Sequence, residues 1–292
     1  MARATPVGAV GAACLRPASA PMSRASAPPD PVALRSERHL AFFERAFTRF
    51  FRRHMRALRL PPWGLPALPA ETPVVVFANH PSWWDGVAFM LLFRRLTPDR
   101  HLFMPMDADA LGRYRFMRRL GVFGVEGGTA RGAVAFLRTA EGVLADPRHV
   151  LCMNAPGRFC DVRERPVPIA PGLAHLAERA PGAVFVPLAL EYPFWTERKP
   201  EMLAAFGPPI PAATLAPLDR ETRAAALARA LEETMDRLAQ DAISRDPGRF
   251  ETLVQGHEGM GGVYEGWRRL RAALSGRPFD PRHDQGAKRA PR

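Results

Sequence analysis

From residue 73 onward the sequence switches repeatedly between two periodicities. Short apolar runs read as strands: PVVVFA (73–78), RHLFMPM (100–106), GVFGV (121–125), HVLCMN (149–154), AVFVPLALEY (183–192) and MLAAFG (202–207). Between and after them, residues 84–96, 110–120, 130–145, 171–180 and 220–243 carry the recurrence of helices. Strands that alternate with helices predict an α/β domain, here a mixed, largely parallel sheet flanked by helices.

The charge map divides the chain further. The formal net charge is +12 over 292 residues, but residues 61–250 carry 22 basic and 21 acidic side chains. The excess lies at the ends: +3 over 1–38, +5 over 39–60 and +3 over 251–292. Such a distribution argues against a large nucleic-acid surface on the body and for contact of the ends with something anionic. Residues 1–36 are rich in Ala, Pro, Ser and Arg without a periodic apolar face, and are expected to be disordered. They have no apolar core of a secretory signal, although a transit peptide has a similar composition.

Residues 37–60, ERHLAFFERAFTRFFRRHMRALRL, place Phe43, Phe47, Phe50, Phe51, Met55 and Leu58 at three- and four-residue steps among Arg45, Arg49, Arg52, Arg53, Arg56 and Arg59. The spacing predicts an N-terminal amphipathic basic helix over this whole stretch. It fits two roles, a helix packed on the core with a solvated arginine face, or an interfacial helix on an anionic membrane surface. A proline-rich linker, 61–73, follows, then a domain over 61–250. Residues 251–292 read as a basic, partly disordered extension with one helical piece at 266–274. No apolar run approaches the ~20 residues that a membrane span needs. The three cysteines, Cys14, Cys152 and Cys160, have no metal or disulfide spacing, which fits a reducing compartment; no metal or other cofactor is expected. The expected location is cytoplasmic, peripheral on the inner face of the cell membrane.

The candidate chemistry lies in VVVFANHPSWWDGVAFMLLF, 74–93. His80 falls at the carboxyl end of a strand, where open α/β sheets place their sites. Ser82 is placed to cap the next helix, with Asp85 three residues on, as in a capping box. Taken singly, Asp85 reads as a cap and His80 as a hydrogen-bonded core histidine. Taken together, the turn can fold Asp85 onto His80, so that one ring nitrogen donates to the carboxylate and the other is left as a base. No G-x-S-x-G elbow supplies a nucleophile. The base would then act on a hydroxyl of the substrate. Trp83 and Trp84 fit either a membrane-facing rim or packing under the turn.

Asn79-His80-x4-Asp85 after an apolar strand resembles the glycerolipid acyltransferase family, which includes 1-acylglycerol-3-phosphate and lysophospholipid acyltransferases. The resemblance covers roughly 40–250. LGVFGVEGGTARG is similar to its second block at Gly121, Phe123 and Glu126, with Arg131 standing in for the usual arginine. Its third block reads Pro-Glu-Gly-Thr-Arg; here NAPGRFCD matches at Gly157 and Arg158, with Pro156 in the place of the glutamate. AVFVPLALEY resembles the fourth block at Pro187. The resemblance implies transfer of a fatty acyl group from acyl-CoA or acyl carrier protein, as co-substrate, to a lysophospholipid-like acceptor. His80 would be the base and Asp85 its orienter, with Asn79, Ser82, Gly157, Arg158, Arg131 and Arg163 around the substrate. Arg158, Arg163 and Arg165 form either a phosphate clamp or a solvated, internally paired loop. Losing the glutamate leaves two further readings open, an inactive membrane-binding relative and a non-glycerolipid acceptor. The oligomeric state is not set by the sequence.

Overall fold

A computed structural model describes residues 30–257 together with Trp267, Arg271, Leu274 and Ser275. In chain order the elements are α1 (Pro31–Leu34), α2 (Glu37–His54), β1 (Ala57–Leu60), β2 (Val74–Ala78), α3 (Asp85–Leu96), β3 (His101–Asp107) and α4 (Ala108–Arg113). There follow β4 (Val122–Val125), α5 (Ala130–Val143), β5 (His149–Asn154), α6 (Pro171–Arg179), β6 (Val184–Glu191), β7 (Met202–Phe206), β8 (Ile210–Pro211), α7 (Ala212–Leu215), α8 (Arg220–Ile243) and β9 (Glu251–Gln255). Nine strands form one sheet in the order β4-β3-β5-β2-β6-β7-β1-β9, with β8 paired to β6. Strands β2 to β6 run parallel to their neighbours in this set, whereas β7 and β8 meet β6 antiparallel and β9 meets β1 antiparallel. The mixed, largely parallel α/β sheet follows from the alternation in the sequence.

Strand β2 is central, and its side chains show why helices cover both faces. Val74, Val76 and Ala78 pack with Val87, Leu91 and Leu92 of α3. Val75 and Phe77 pack on the other face with Phe136 of α5, Leu173 of α6 and Leu227 and Leu231 of α8. All five β2 residues are buried, as in a parallel strand closed on both sides. Side-chain caps mark two helix starts: Thr129 Oγ1 accepts the Gly132 N–H at the head of α5, and Asp219 accepts those of Glu221 and Thr222 at the head of α8.

The expected helix over 37–60 ends early. α2 stops at His54, Met55 turns to extended backbone, and 57–60 form β1, buried throughout. β1 fits a slot between β7, which it meets in parallel, and β9. Arg59, counted above among the helix's solvated charges, is buried there against Glu201 at 3.0 Å and reaches Thr252. The neighbours that make this a strand lie some 140 and 190 residues further along the chain, so no local periodicity announces it. Residues 251–255, expected to open the extension, complete the sheet as β9. Residues 30–36, expected to be disordered, are ordered: Asp30 caps α1 and the Ser36 N–H reaches Arg119 O. The helix expected over 110–120 breaks at Tyr114 into α4 and a 3-10 turn, Arg115–Leu120. The expectations for 1–29 and most of 258–292 lie outside the described residues; Trp267, Arg271 and Leu274 of the expected helical piece are helical.

α2 packs on the body. Leu40 meets Met90 and Leu120, with Phe43 and Phe47 against them, while Phe51 and Met55 are fully buried. The apolar face is therefore occupied by the core. Arg45, Arg49, Arg52 and Arg53 point outward, together with Phe42, 66% exposed, and Phe50. Among the described residues no helix is long and apolar enough to cross a membrane.

Candidate active site

The strand β2 delivers His80 to the carboxyl edge of the sheet, and Asn79 fixes where the chain leaves it. The Asn79 amide acts as one more rung of the ladder between β2 and β6: Nδ2 donates to Leu190 O at 2.9 Å, and the Leu190 N–H donates to Oδ1 at 2.8 Å. Asn79 is buried with both ends of its amide spent on that strand. The structure therefore places it as a brace, in contrast to the substrate-binding role expected of it. Beyond His80 the turn reaches Ser82, whose hydroxyl accepts the Trp84 N–H at 3.2 Å. Trp84 already has helical backbone angles, and α3 follows. Ser82 thus caps the helix, and its own N–H helps hold the Asp85 carboxylate.

Asp85 does more than cap. Its Oδ2 lies 2.6 Å from His80 Nδ1, and its Oδ1 accepts the hydroxyl of Tyr192 at 2.7 Å. The Asp85 side chain is 1% exposed and that of His80 19%. Burial pushes the Asp85 carboxyl above its ordinary value, against the pull of the hydrogen bonds from His80 and Tyr192. Its position in the first turn of α3 also favours negative charge. With Nδ1 donating to the carboxylate, the second nitrogen of His80, Nε2, is left with a free lone pair. Cys152 lies close enough to Asp85 for burial and then the carboxylate charge to hold its thiol well above the usual range, so it is no thiolate nucleophile.

The turn after β5 covers the histidine from the adjacent strand. The Gly157 N–H bonds to Asn154 O, and Gly157 adopts φ +68°, a left-handed conformation that suits glycine. The Cys160 N–H then donates to His80 O at 3.0 Å, and the Phe159 ring stacks on the His80 imidazole with centroids 4.1 Å apart. Gly157 and His80 therefore belong to one corner of the molecule. The arginines of this loop face acids. Arg158 pairs with Glu164, Arg163 with Asp161 at 2.8 Å, and Arg165 with Asp236 at 2.6 Å. Arg131 is exposed in the first turn of α5. That helix follows β4, three strand spacings, about 14 Å, from β2. Gly121 and Phe123 serve packing: Gly121 has φ +89° with no room for a Cβ beside Leu102 O, and Phe123 is buried against Phe136. Glu126 is exposed, and Pro187 lies buried within β6.

Trp84 stacks on Phe50 with centroids 5.0 Å apart, while Trp83, its edge toward Phe50, is 65% exposed. The pair thus divides between packing and rim. Among the described residues no group of three or more His, Cys, Asp or Glu side chains could hold a metal ion.

Residues 64–191 match the Acyltransferase family model. The matched stretch runs from before β2 to the end of β6 and carries His80, Asp85 and the Phe159 loop, so it supports an acyltransferase domain. No curated protein matches the chain. Two residues at this corner were not singled out from the sequence. Tyr192 ends the run AVFVPLALEY, and a polar aromatic at the edge where the strands terminate was its only signal. Phe159 lies in NAPGRFCD, where its neighbour Arg158 carries the stronger sequence signal.

Proposed function

We propose that the protein is an enzyme that transfers a fatty acyl group from an acyl thioester, acyl-CoA or acyl carrier protein, to a hydroxyl of a lipid-like acceptor. The observation that carries this reading is the 2.6 Å bond between His80 and Asp85 at the carboxyl edge of the sheet, within the stretch that matches the Acyltransferase family model. A carboxylate that fixes one imidazole nitrogen leaves the other to take a proton. His80 Nε2 removes the acceptor's hydroxyl proton as the oxygen bonds to the thioester carbonyl carbon. The C–S bond then breaks, and the departing sulfur takes the proton back from the imidazolium. The Gly157 and Cys160 N–H groups are spent on Asn154 O and His80 O, so the oxyanion would need another backbone donor of the same turn.

The loop beside the base favours an acceptor recognised through apolar and aromatic contact. Phe159 covers one face of His80, and Arg158, Arg163 and Arg165 are closed on carboxylates. A lysophospholipid remains the reading from family resemblance. The ring over the base favours the second reading, in which the acceptor is another lipid hydroxyl. The assembled dyad weighs against an inactive relative.

Docking on an anionic membrane surface belongs to the same proposal. Arg45, Arg49, Arg52 and Arg53 with exposed Phe42, Phe50 and Trp83 lie on α2 and the His80 turn, so the surface that meets lipid headgroups adjoins the site. The test is incubation of purified protein with radiolabelled palmitoyl-CoA and a total lipid extract, with the product identified by mass. Labelled lipid should form with the wild type, and His80→Ala should lose ~10²–10⁴-fold in turnover. Near-normal turnover in His80→Ala overturns the mechanism.

A further inference from the structure

We propose that Tyr192 is a positioning residue of the dyad, its hydroxyl locking the Asp85 carboxylate so that Asp85 in turn fixes His80. The proposal rests on the acyl-transfer reading of the site. A carboxylate bonded on one oxygen can still swing about its Cβ–Cγ axis, whereas one bonded on both cannot. Asp85 is held on both, with His80 at Oδ2 and Tyr192 at Oδ1, 2.6 and 2.7 Å away; the Ser82 N–H adds a contact from the same turn as His80, so Tyr192 is the one support that comes from another strand. The tyrosine comes from a different strand, one residue beyond β6, which lies beside β2 in the sheet. The same clamp serves both ends of the constellation. Asn79 precedes His80 by one residue, and Leu190, which it bonds through both backbone groups, precedes Tyr192 by two. The base, its orienter and the orienter's own support are therefore built on one rigid joint between the two central strands.

The ionisable groups that face Asp85 are few. His80 comes from the turn after β2, Tyr192 from the end of β6, and the Cys152 thiol from β5. Glu191, next to Tyr192, lies on the alternate side of the strand. Burial and the neighbouring carboxylate keep the Tyr192 phenol well above its ordinary range, so it stays a neutral donor whenever the dyad works. A phenol that donates to Asp85 stabilises the anion and draws charge from the oxygen pair that faces His80. Without it the carboxylate is more basic, the imidazolium is held more tightly, and the dyad takes up its proton at higher pH.

Tyr192→Phe removes one oxygen and keeps the ring that packs against the α3 side of the sheet. With radiolabelled palmitoyl-CoA and a lipid extract, kcat is expected to fall about tenfold, the loss of one hydrogen bond to a charged group, with the KM for palmitoyl-CoA within about twofold. The acid limb of the kcat–pH profile should move to higher pH. A tyrosine that only fills space moves neither the limb nor kcat when it becomes phenylalanine. Adding Asp85→Asn to Tyr192→Phe should cost no more than Asp85→Asn alone, because the hydroxyl acts through the carboxylate. Fluorotyrosine in place of all three tyrosines leaves every side chain in place and strengthens the phenol as a donor, so the acid limb should move the other way. An unshifted profile in both proteins, or fully additive losses in the double variant, overturns the role of Tyr192. A wild type without any transfer activity overturns the acyl-transfer reading and this inference with it.

Discussion

Replacing Asp85 by asparagine keeps the shape of the site and removes one charge, which separates catalytic from structural need. The asparagine oxygen can still accept the Tyr192 hydroxyl that now bonds Oδ1 at 2.7 Å. The other end then presents an N–H to His80 Nδ1, where a carboxylate oxygen stood at 2.6 Å. His80 must accept at Nδ1, so its single proton moves to Nε2, and the nitrogen that should take the substrate's proton becomes a donor. General-base catalysis is worth ~10²–10⁴-fold. With the base left in the wrong tautomer, the expected fall in kcat is ~10³-fold, or ~4 kcal/mol in the barrier. Stability should go the opposite way. Burial raises the Asp85 carboxyl in the folded state above its ordinary 3.8, so the native protein binds that proton more tightly than the unfolded chain. The group's contribution is then favourable at low pH and is lost as pH rises from 3.8 through the raised folded value. At pH near 7.5 the wild type carries the cost of a buried charge that the asparagine variant lacks. The variant's thermal midpoint should therefore equal or exceed the wild type's near neutrality, and the gap should close toward pH 4. Acyl transfer from radiolabelled palmitoyl-CoA and calorimetric unfolding at the two pH values measure both effects. A variant that keeps more than a tenth of wild-type turnover, or that melts several degrees lower near neutrality, would mean that Asp85 is a helix cap and no more.

The brace and the docking surface give two further expectations. Asn79→Leu should leave the N–H and C=O of Leu190 unpaired between two central strands, at a cost of about 3 kcal/mol, which lowers the melting midpoint by roughly 6–12 °C in a domain of this size. A raised acceptor KM with unchanged stability would instead make Asn79 a substrate ligand. Replacing Arg45, Arg49, Arg52 and Arg53 together by glutamine should leave the melting midpoint in place and weaken flotation with anionic vesicles, since each basic residue near such a surface contributes ~1 kcal/mol. Equal flotation of wild type and variant, at low and at physiological salt, would reduce these arginines to ordinary solvated surface.

Local patterns in the chain reported the central layer of the fold well. β2, α3, β5, β6 and α8 lie where the periodicity places them, because each is bounded by its own turns and keeps its own strand or helix periodicity over its full length. The failure over 57–60 has a clear cause. β1 is four residues long, contains an arginine and continues the helical rhythm of α2, so only its distant partners β7 and β9 make it a strand. The same holds at the site. His80 and Asp85 are five residues apart and their contact follows from one turn, which is why a single stretch of sequence sufficed to pair them. Tyr192 stands 107 residues beyond Asp85, and nothing in the sequence marks it except its place at the end of a strand. Residues expected to hold substrate by pattern alone fared differently: Asn79 is consumed by Leu190, and Arg158 and Arg163 by Glu164 and Asp161. Spacing shows that such groups can reach a site, but not that a nearer partner will claim them.

The departure at the third block becomes coherent when the loop is taken as a wall of the site. Pro156 has no carboxylate to offer the acceptor, and Gly157 takes the left-handed conformation that turns the chain back toward β2. The turn brings the Cys160 N–H onto the His80 carbonyl and lays Phe159 over the imidazole. A ring at 4.1 Å shields one face of the base from water and cannot hold a phosphate. The acids of the same loop neutralise its arginines close to where they arise. A loop arranged to capture a phosphate would instead leave guanidinium forks open beside the base. On the proposed reading, paired charge beside His80 and exposed arginines on α2 would divide two tasks. The arginines of α2 would meet headgroups, and the corner around His80 would take a hydroxyl carried on an apolar acceptor.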